Sequence, residues 1–495
     1  MNDSSRTGDG GRDEFGYGEH DKERAHPNDP KAHSTPPRRV EGDTSRSAFQ
    51  RDYDRLVFSG AYRRLQGKTQ VVTPGEADFF RNRLTHSIEV AQIARRLAEM
   101  LNGRVVSGTV EGISCGGSKG FVDPDVCAAA SALHDFGHPP FGHVGEEELH
   151  AAVCRRALEY GLTGDLEEAA QLSGGYNGNA QSLRMAVHSL THKEPGGGLE
   201  LTRAVLDGTL KYPWAYDERP AGKGGWNVFP TEREQFAWIR DRVPEELRQQ
   251  RSIEAQIVDW ADDIAYAIHD LEDWFRAGYF PLVALTTPGS STIDELCAKL
   301  DQRWPEDDTD EFVKYVLLDP EGGFGAFREL ESVTDPHGYT GREAMRKTRS
   351  ALYDECFKST SVKVASAEAL GISPRHALGL EIPKEVRRKN KLLRELLRIY
   401  LVGSHRLATQ QRGQRHIVRS LFELHDQAAD PEDTSVSLEI FRHDVRGQIE
   451  KATEAGDRLL RLRLVCDYVS GMTDAYAIRL HNRLFGGESI FHEFI

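Results

Sequence analysis

The sequence is poor in cysteine: six residues in 495 (Cys115, Cys127, Cys154, Cys297, Cys356 and Cys466), none of them spaced as CxxC. That excludes a disulfide framework and a zinc finger and fits a reducing, cytoplasmic setting. No apolar run approaches the ~18 residues needed to span a bilayer, and the first residues are polar rather than signal-like, so no membrane partner is expected. Walker-type and dinucleotide-type glycine loops, heptad arrays and internal repeats are all missing. Net positive charge is missing too: 63 Lys and Arg face 78 Asp and Glu, a formal charge of −15. The molecule as a whole is therefore no evident polyanion binder, although a local basic patch can still serve one.

What remains is the balance of an ordinary globular chain, 38% hydrophobic and 28% charged, long enough for one large or two fused domains. Residues 1–45 are rich in Asp, Gly, Arg, Ser, Pro and His and nearly devoid of aliphatic side chains, which predicts a disordered polar tail. Order is expected from Ser47 onward, where Phe49, Tyr53, Leu56, Val57 and Tyr62 recur at helical intervals. From His86, the residues Val90, Ile93, Ala94 and Leu97 share one helical face, which turns His86 inward. The Gly/Ser-rich stretch 103–120 reads as a surface loop. Val126–Leu133 reads as a buried helix and Glu146–Tyr160 as another. Asn177 and Asn179 lie in a polar turn feeding a further helix, where capping is the simplest role.

The stretch from Ile253 to Asp270 carries an apolar stripe, and Asp262, Tyr266 and Asp270 fall at i, i+4 and i+8 on one face. Beyond Pro281 the pattern is further helix, with no strand alternation. It includes a basic amphipathic helix from Lys384 to Val402, whose charge Arg406, Arg412, Arg415 and Arg419 continue; a solvated face explains it better than a polyanion contact. The expected fold class is all-α.

The densest chemistry lies between Ala132 and Glu146, where His134, Asp135, His138, His143 and Glu146 surround a turn punctuated by Gly and Pro. An imidazole and a carboxylate side by side at the end of a buried helix are costly unless paired, and a divalent metal answers for both. Alone, the pair would read as a capped helix end. With His86 and an acidic residue of the 253–270 helix it becomes a set of two imidazoles and two carboxylates on separate helices. Such a set suits Mn²⁺, Fe²⁺, Ni²⁺ or Zn²⁺ with positions left open for water or phosphate. Mg²⁺ would need further oxygens, which substrate phosphates can supply.

Seven blocks in this order resemble the HD-domain superfamily, and within it the deoxynucleoside triphosphate triphosphohydrolases (dGTPase-like proteins). They are Arg64–Val71, Arg81–His86, His134–His143, Asn177–Gln181, Lys211–Trp214, Ala261–Tyr266 and Ser470–Asp474. The resemblance implies an HD-domain helical core over 46–285 with a C-terminal helical region, 286–495, packed on it. It implies metal ligands His86, His134, Asp135 and Asp262, the last preferred to Asp263 because it keeps the family spacing to Tyr266 and Asp270. His143 and Glu146 match the catalytic pair beside the metal. Gln70 matches the residue that reads the deoxyribose 3′-hydroxyl, with Tyr266 and Asp270 near the sugar. Arg83 and Lys211 match triphosphate contacts, with His138 and Asn179 as further substrate contacts.

The implied reaction is metal-dependent hydrolysis of dNTPs, dGTP expected among them, to deoxynucleoside and inorganic triphosphate. A homo-oligomer such as a hexamer and a second activating nucleotide are the partners the family implies, while the basic 384–419 region would support single-stranded nucleic acid as a partner. Two other readings compete. One keeps the metal and makes the protein an HD-type nucleotide phosphatase or phosphodiesterase. The other makes it a nucleotide-sensing protein that binds single-stranded nucleic acid.

Overall fold

The structure, a computed structural model, describes residues 13–25, 46–70, 81–108, 119–161, 163–189, 198–277, 281–304, 308–319, 330, 333, 338–366, 368, 370, 373–401 and 405–486. The expected helices are present. Ala48–Val57 opens with a capping box between Ser47 and Gln50, and Arg83–Val106 opens with another between Asn82 and Thr85. Pro124–Leu133 starts with Asp123 as its cap and proline in its first turn, where the missing N–H costs nothing. His143–Glu159, Gly178–Arg184 (capped by Asn177), Arg203–Gly208 and Ile253–Ala277 follow. Lys384–Leu401, His405–Ala429, Arg458–Ser470 and Asp474–Phe485 complete the part that bears on the site.

The Pro124–Leu133 helix is the hub. Its small side chains leave every residue from Val126 to Leu133 buried, so four helices close on it: Arg83–Val106, Ala48–Val57, Ile253–Ala277 and Arg203–Gly208. Leu97, Ile257 and Ile264 share one apolar cluster with Leu392 and Leu396 of the Lys384–Leu401 helix. A second cluster joins Leu149 and Val153 to Phe422 and Val465. Each such fully buried aliphatic contributes about 1.5–3 kcal/mol. No helix among the described residues is long and apolar enough to cross a membrane.

The structure departs from the sequence reading in two places. Ser361–Val364 pairs antiparallel with Leu378–Glu381, although no strand was expected in this half. Four-residue strands are too short to show alternation, and Gln256 fixes the second one by accepting from Leu380 N (2.8 Å) and donating to the Leu378 carbonyl (3.1 Å). Residues 13–25 lie inside the stretch whose composition predicts disorder, yet they dock. Tyr17 is buried, its hydroxyl donates to Glu254, and its ring meets Phe49 edge-on at 5.1 Å. One aromatic anchor entering an existing apolar cluster suffices, and average composition conceals it. Residues 1–12 and 26–45, residues 109–118 of the Gly/Ser stretch (with Cys115) and the side chains of Arg406 and Asp270 lie outside the described set. The other five cysteines are free and buried.

The turn between Leu133 and His143 is held from several sides. Phe141 and Gly142 take φ of 65° and 60°, which for phenylalanine is strained. The Phe141 N–H donates to Asp474 Oδ1 (2.9 Å), whose Oδ2 accepts from Thr69 N (2.9 Å), so one carboxylate fixes both loops. Lys68, also buried, donates to the carbonyls of His138 and Ser470. Gly137 donates to Ser182 Oγ (2.9 Å), and a β-carbon there would lie 2.1 Å from the Gly178 carbonyl oxygen and 2.4 Å from Ser182 N.

Two stability predictions follow from these contacts. Gly137→Ala has backbone on the opposing side, which cannot yield, so it is expected to destabilise by roughly 3 kcal/mol or more in denaturant unfolding. An unchanged midpoint would contradict the packing. His425, edge-on to Phe441 and tilted against Tyr468, has its imidazole pushed down by burial to about 4 from 6.5. The native state refuses a proton that the unfolded chain accepts. Stability should therefore fall as pH drops from 6.5 toward 4, by up to roughly 3 kcal/mol from this group. Thermal unfolding across that window should be less pH-dependent in His425→Gln than in the wild type.

Candidate functional site

Three helices deliver one cluster. His86, in the first turn of Arg83–Val106, His134, at the C-terminal end of Pro124–Leu133, and Asp262, midway along Ile253–Ala277, bring one ligand atom each within 4.8 Å of one another. His86 Nε2 lies 3.1 Å from Asp262 Oδ1, and His134 Nε2 lies 3.8 Å from the same oxygen. The His134 ring is oriented by Nδ1–H, which donates to the Ser131 carbonyl at 2.5 Å, leaving Nε2 buried and without a hydrogen bond. A buried ring nitrogen aimed at a carboxylate and a second imidazole, its other nitrogen tied to a carbonyl, has the orientation of a metal-binding histidine. The donor set therefore fits a divalent cation. Asp263, one residue on, points elsewhere and pairs with Arg394.

Asp135 stands beside this triad rather than in it. Its Oδ1 lies 3.4 Å from His134 Nε2 and 3.0 Å from His138 Nδ1, while Oδ2 accepts from Arg83 at 2.9 Å. Burial opposes its charge, but His134, Arg83 and His138 hold its carboxyl well below the usual range. Asp262 behaves likewise: burial is outweighed by the His86 hydrogen bond and by the charges of Lys211 and His134. Asp262 in turn raises the His86 pKa despite burial. Lys211 lies 2.8 Å from Asp259 and 3.5 Å from Asp262, and these carboxylates push its pKa well up against the effect of burial.

A second group forms across the turn, where His138, His143 and Glu146 also bring ligand-type atoms within 4.8 Å. His143 Nδ1 is 3.2 Å from Glu146 Oε2, and the Gly178 N–H donates to Glu146 Oε1 at 2.7 Å. Burial works against the Glu146 charge, yet the His143 hydrogen bond and the nearby His138 take its pKa down to about 2. The His143 side chain is 71% exposed, so an anchored carboxylate holds a solvent-facing imidazole. Such a pair can carry a proton to or from a bound molecule.

These groups open into one cavity of about 710 Å³. Of the residues expected at the site, it is lined by Gln70, Arg83, His86, His134, Asp135, His138, His143, Asn179, Lys211, Asp262 and Tyr266. Glu146 lies behind His143 rather than on the wall. The sequence reading missed three contributors. Asp259 holds Lys211 and lies one turn before Asp262, a spacing that could have flagged it. Arg394, from the basic helix read as a solvated face, reaches the cavity, pairs with Asp263 and lies 5.4 Å from the centre of the Tyr266 ring. Asp474 was part of a quoted block but had no role; it clamps the loops that carry Gln70 and His143.

Comparison with known proteins agrees with this architecture. The HD domain matches residues 83–267, and a phosphohydrolase-associated domain matches residues 380–483. The chain is 34% identical over 457 residues to a deoxyguanosinetriphosphate triphosphohydrolase-like protein of Streptomyces coelicolor, covering 89% of this chain and 93% of that one. It is 32% identical over 449 residues to deoxyguanosinetriphosphate triphosphohydrolase-like protein 1 of Mesorhizobium japonicum, covering 90% of each. A protein of the same description from Bifidobacterium longum is 30% identical over 489 residues, 95% of this chain and 87% of that one. With a helical core, a cluster fit for a divalent cation and this likeness over nearly its whole length, the chain belongs to the deoxyguanosinetriphosphate triphosphohydrolase-like proteins, a family of HD-domain phosphohydrolases.

Proposed function

We propose that this protein hydrolyses deoxynucleoside triphosphates, dGTP among them, to deoxynucleoside and inorganic triphosphate with the aid of a divalent metal ion. One observation carries the reading: the cluster of His86, His134 and Asp262 shares a nucleotide-sized cavity with Arg83, Lys211, His143 and Tyr266. The relatives' description as triphosphohydrolase-like supports it. His86, His134, Asp135 and Asp262 would hold the ion, and a bound Mn²⁺ or Mg²⁺ would supply Lewis acidity at the α-phosphate.

The chain's own groups do the rest. Arg83 and Lys211 are fixed by the Asp135, Asp259 and Asp262 carboxylates and offer positive charge to the triphosphate. Preorganised cations of this kind stabilise charge as it develops, without reorganising at the moment of reaction. His138 and Asn179 add polar contacts on the same wall. Water attacks the α-phosphorus, the bond to the 5′-oxygen breaks, and that oxygen leaves with a proton. His143, steadied by Glu146, is the proton carrier, acting on the attacking water or on the leaving oxygen. Gln70 addresses the 3′-hydroxyl, with Asp270 near the sugar. The Tyr266 ring would pack under the sugar, where it would penalise a 2′-hydroxyl.

Ion-exchange analysis of each dNTP incubated with Mn²⁺ or Mg²⁺ should give deoxynucleoside and intact triphosphate. His134→Ala and Asp262→Ala should each lower kcat/KM at least about 100-fold, and His143→Ala between about 100- and 10,000-fold. Pyrophosphate or monophosphate as product would refute the reaction. Metal analysis after gel filtration should find the wild-type protein loaded and both ligand variants depleted. A separate expectation concerns the sugar: dGTP should be turned over much faster than GTP, and Tyr266→Ala should narrow that ratio. A ratio unmoved by the substitution would remove Tyr266 from sugar selection.

A further inference from the structure

Two helices of the C-terminal part complete the lining of the cavity. Lys384–Leu401 contributes Arg394, Glu395 and Arg398, and His405–Ala429 contributes Gln410, Gln411, Gln414 and Arg415. The charged members are committed to carboxylates. Arg394 pairs with Asp263, Arg398 lies 3.9 Å from Glu395, and Arg415 pairs with Glu147 at 2.5 Å. Gln411 and Gln414 are different. They lie one turn apart on the same helical face, both half-buried against the cavity, and neither makes a hydrogen bond within the described residues.

We propose that Gln411 and Gln414 read the base of the nucleotide. The inference rests on the triphosphohydrolase reading and names the part of the site that selects among its substrates. If the phosphates lie at Arg83 and Lys211 and the sugar over Tyr266, the base is left to meet the remaining lining of the cavity, which includes Arg394 beside that ring and the two glutamines. Two uncommitted carboxamides are well matched to a base edge. Each offers one acceptor and two donors, and turning the amide by half a turn exchanges them. An edge of either polarity can then be met, so this wall accepts all four bases and discriminates among them modestly.

A carboxylate at either position loses that freedom, because it only accepts. Guanine presents two adjacent donors, N1–H and the 2-amino group, which a carboxylate can accept together. Thymine presents O4 and O2 acceptors on either side of a single N3–H and would set an oxygen against a negative charge. Gln411→Glu and Gln414→Glu test this directly, with kcat/KM measured for dGTP, dATP, dCTP and dTTP on each full-length protein and on the wild type.

The ratio of dGTP to dTTP efficiency should rise at least about fivefold in one or both variants, the size expected for one gained or lost polar contact. Ratios within one preparation cancel any loss of folded enzyme, so a merely structural role would leave them fixed. The double variant Gln411→Ala/Gln414→Ala should compress the spread among the four substrates. If the wild type turns over dNTPs but every variant changes all four efficiencies by one common factor, or not at all, base reading by these residues is refuted while the reaction stands. If the wild type releases no triphosphate from any dNTP, the reaction fails and the base-reading role fails with it.

Discussion

Two carboxylates, the buried Asp135 and the half-buried Asp262, set the terms for everything around them. A carboxylate taken out of water without a partner would rather bind a proton, so its charge survives only where cations and donors surround it. The fold meets that demand from four directions: Arg83 and His86 at the start of one helix, His134 at the end of another, Lys211 just past a third, and His138 in the turn. Such buried pairs add little net stability, yet removing one member leaves a charge stranded at a cost of about 3–5 kcal/mol. The geometry of the site is thus enforced by electrostatics that the folded chain cannot abandon piecemeal.

The same principle separates the two histidine groups. Around Asp262 one imidazole, His86, is buried and the other, His134, is half-buried and oriented by a main-chain carbonyl, which suits holding an ion. Across the turn it is the carboxylate, Glu146, that is half-buried and fixed by the Gly178 N–H, while the imidazole faces solvent. A fixed acid holding an exposed base suits proton traffic. One turn punctuated by Gly and Pro therefore joins two histidine groups of different exposure.

Much of this was legible in the sequence because the signals are local. Helical periodicity alone turns His86 inward, and the i, i+4 spacing puts Asp262 and Tyr266 on one face. The adjacency of His134 and Asp135 is read directly, but it does not show that Asp135 also faces Arg83 and His138. Partners distant in sequence leave no local trace. Arg394 reaches Asp263 from 131 positions away, and a basic amphipathic helix looks the same whether its arginines face water or a cavity. Tyr17 and the short sheet were missed for a related cause: one anchor residue, or four-residue strands held by Gln256, lies below the resolution of any windowed pattern.

The Asp474 clamp has a consequence for how the molecule comes to be. Its carboxylate joins Thr69 and Phe141 across 405 and 333 positions of chain. Contacts of such separation require the intervening loop to be closed before they return any stabilisation, and chains that depend on them fold slowly. The strained turn at Phe141 and Gly142 cannot be locked until residue 474 has emerged and its helix has docked. During synthesis the helices bearing His86, His134 and Asp262 can already have packed together while the loops beside them stay unfastened. Assembly of the His86, His134 and Asp262 cluster and completion of the cavity around it can thus be separated in time along the nascent chain.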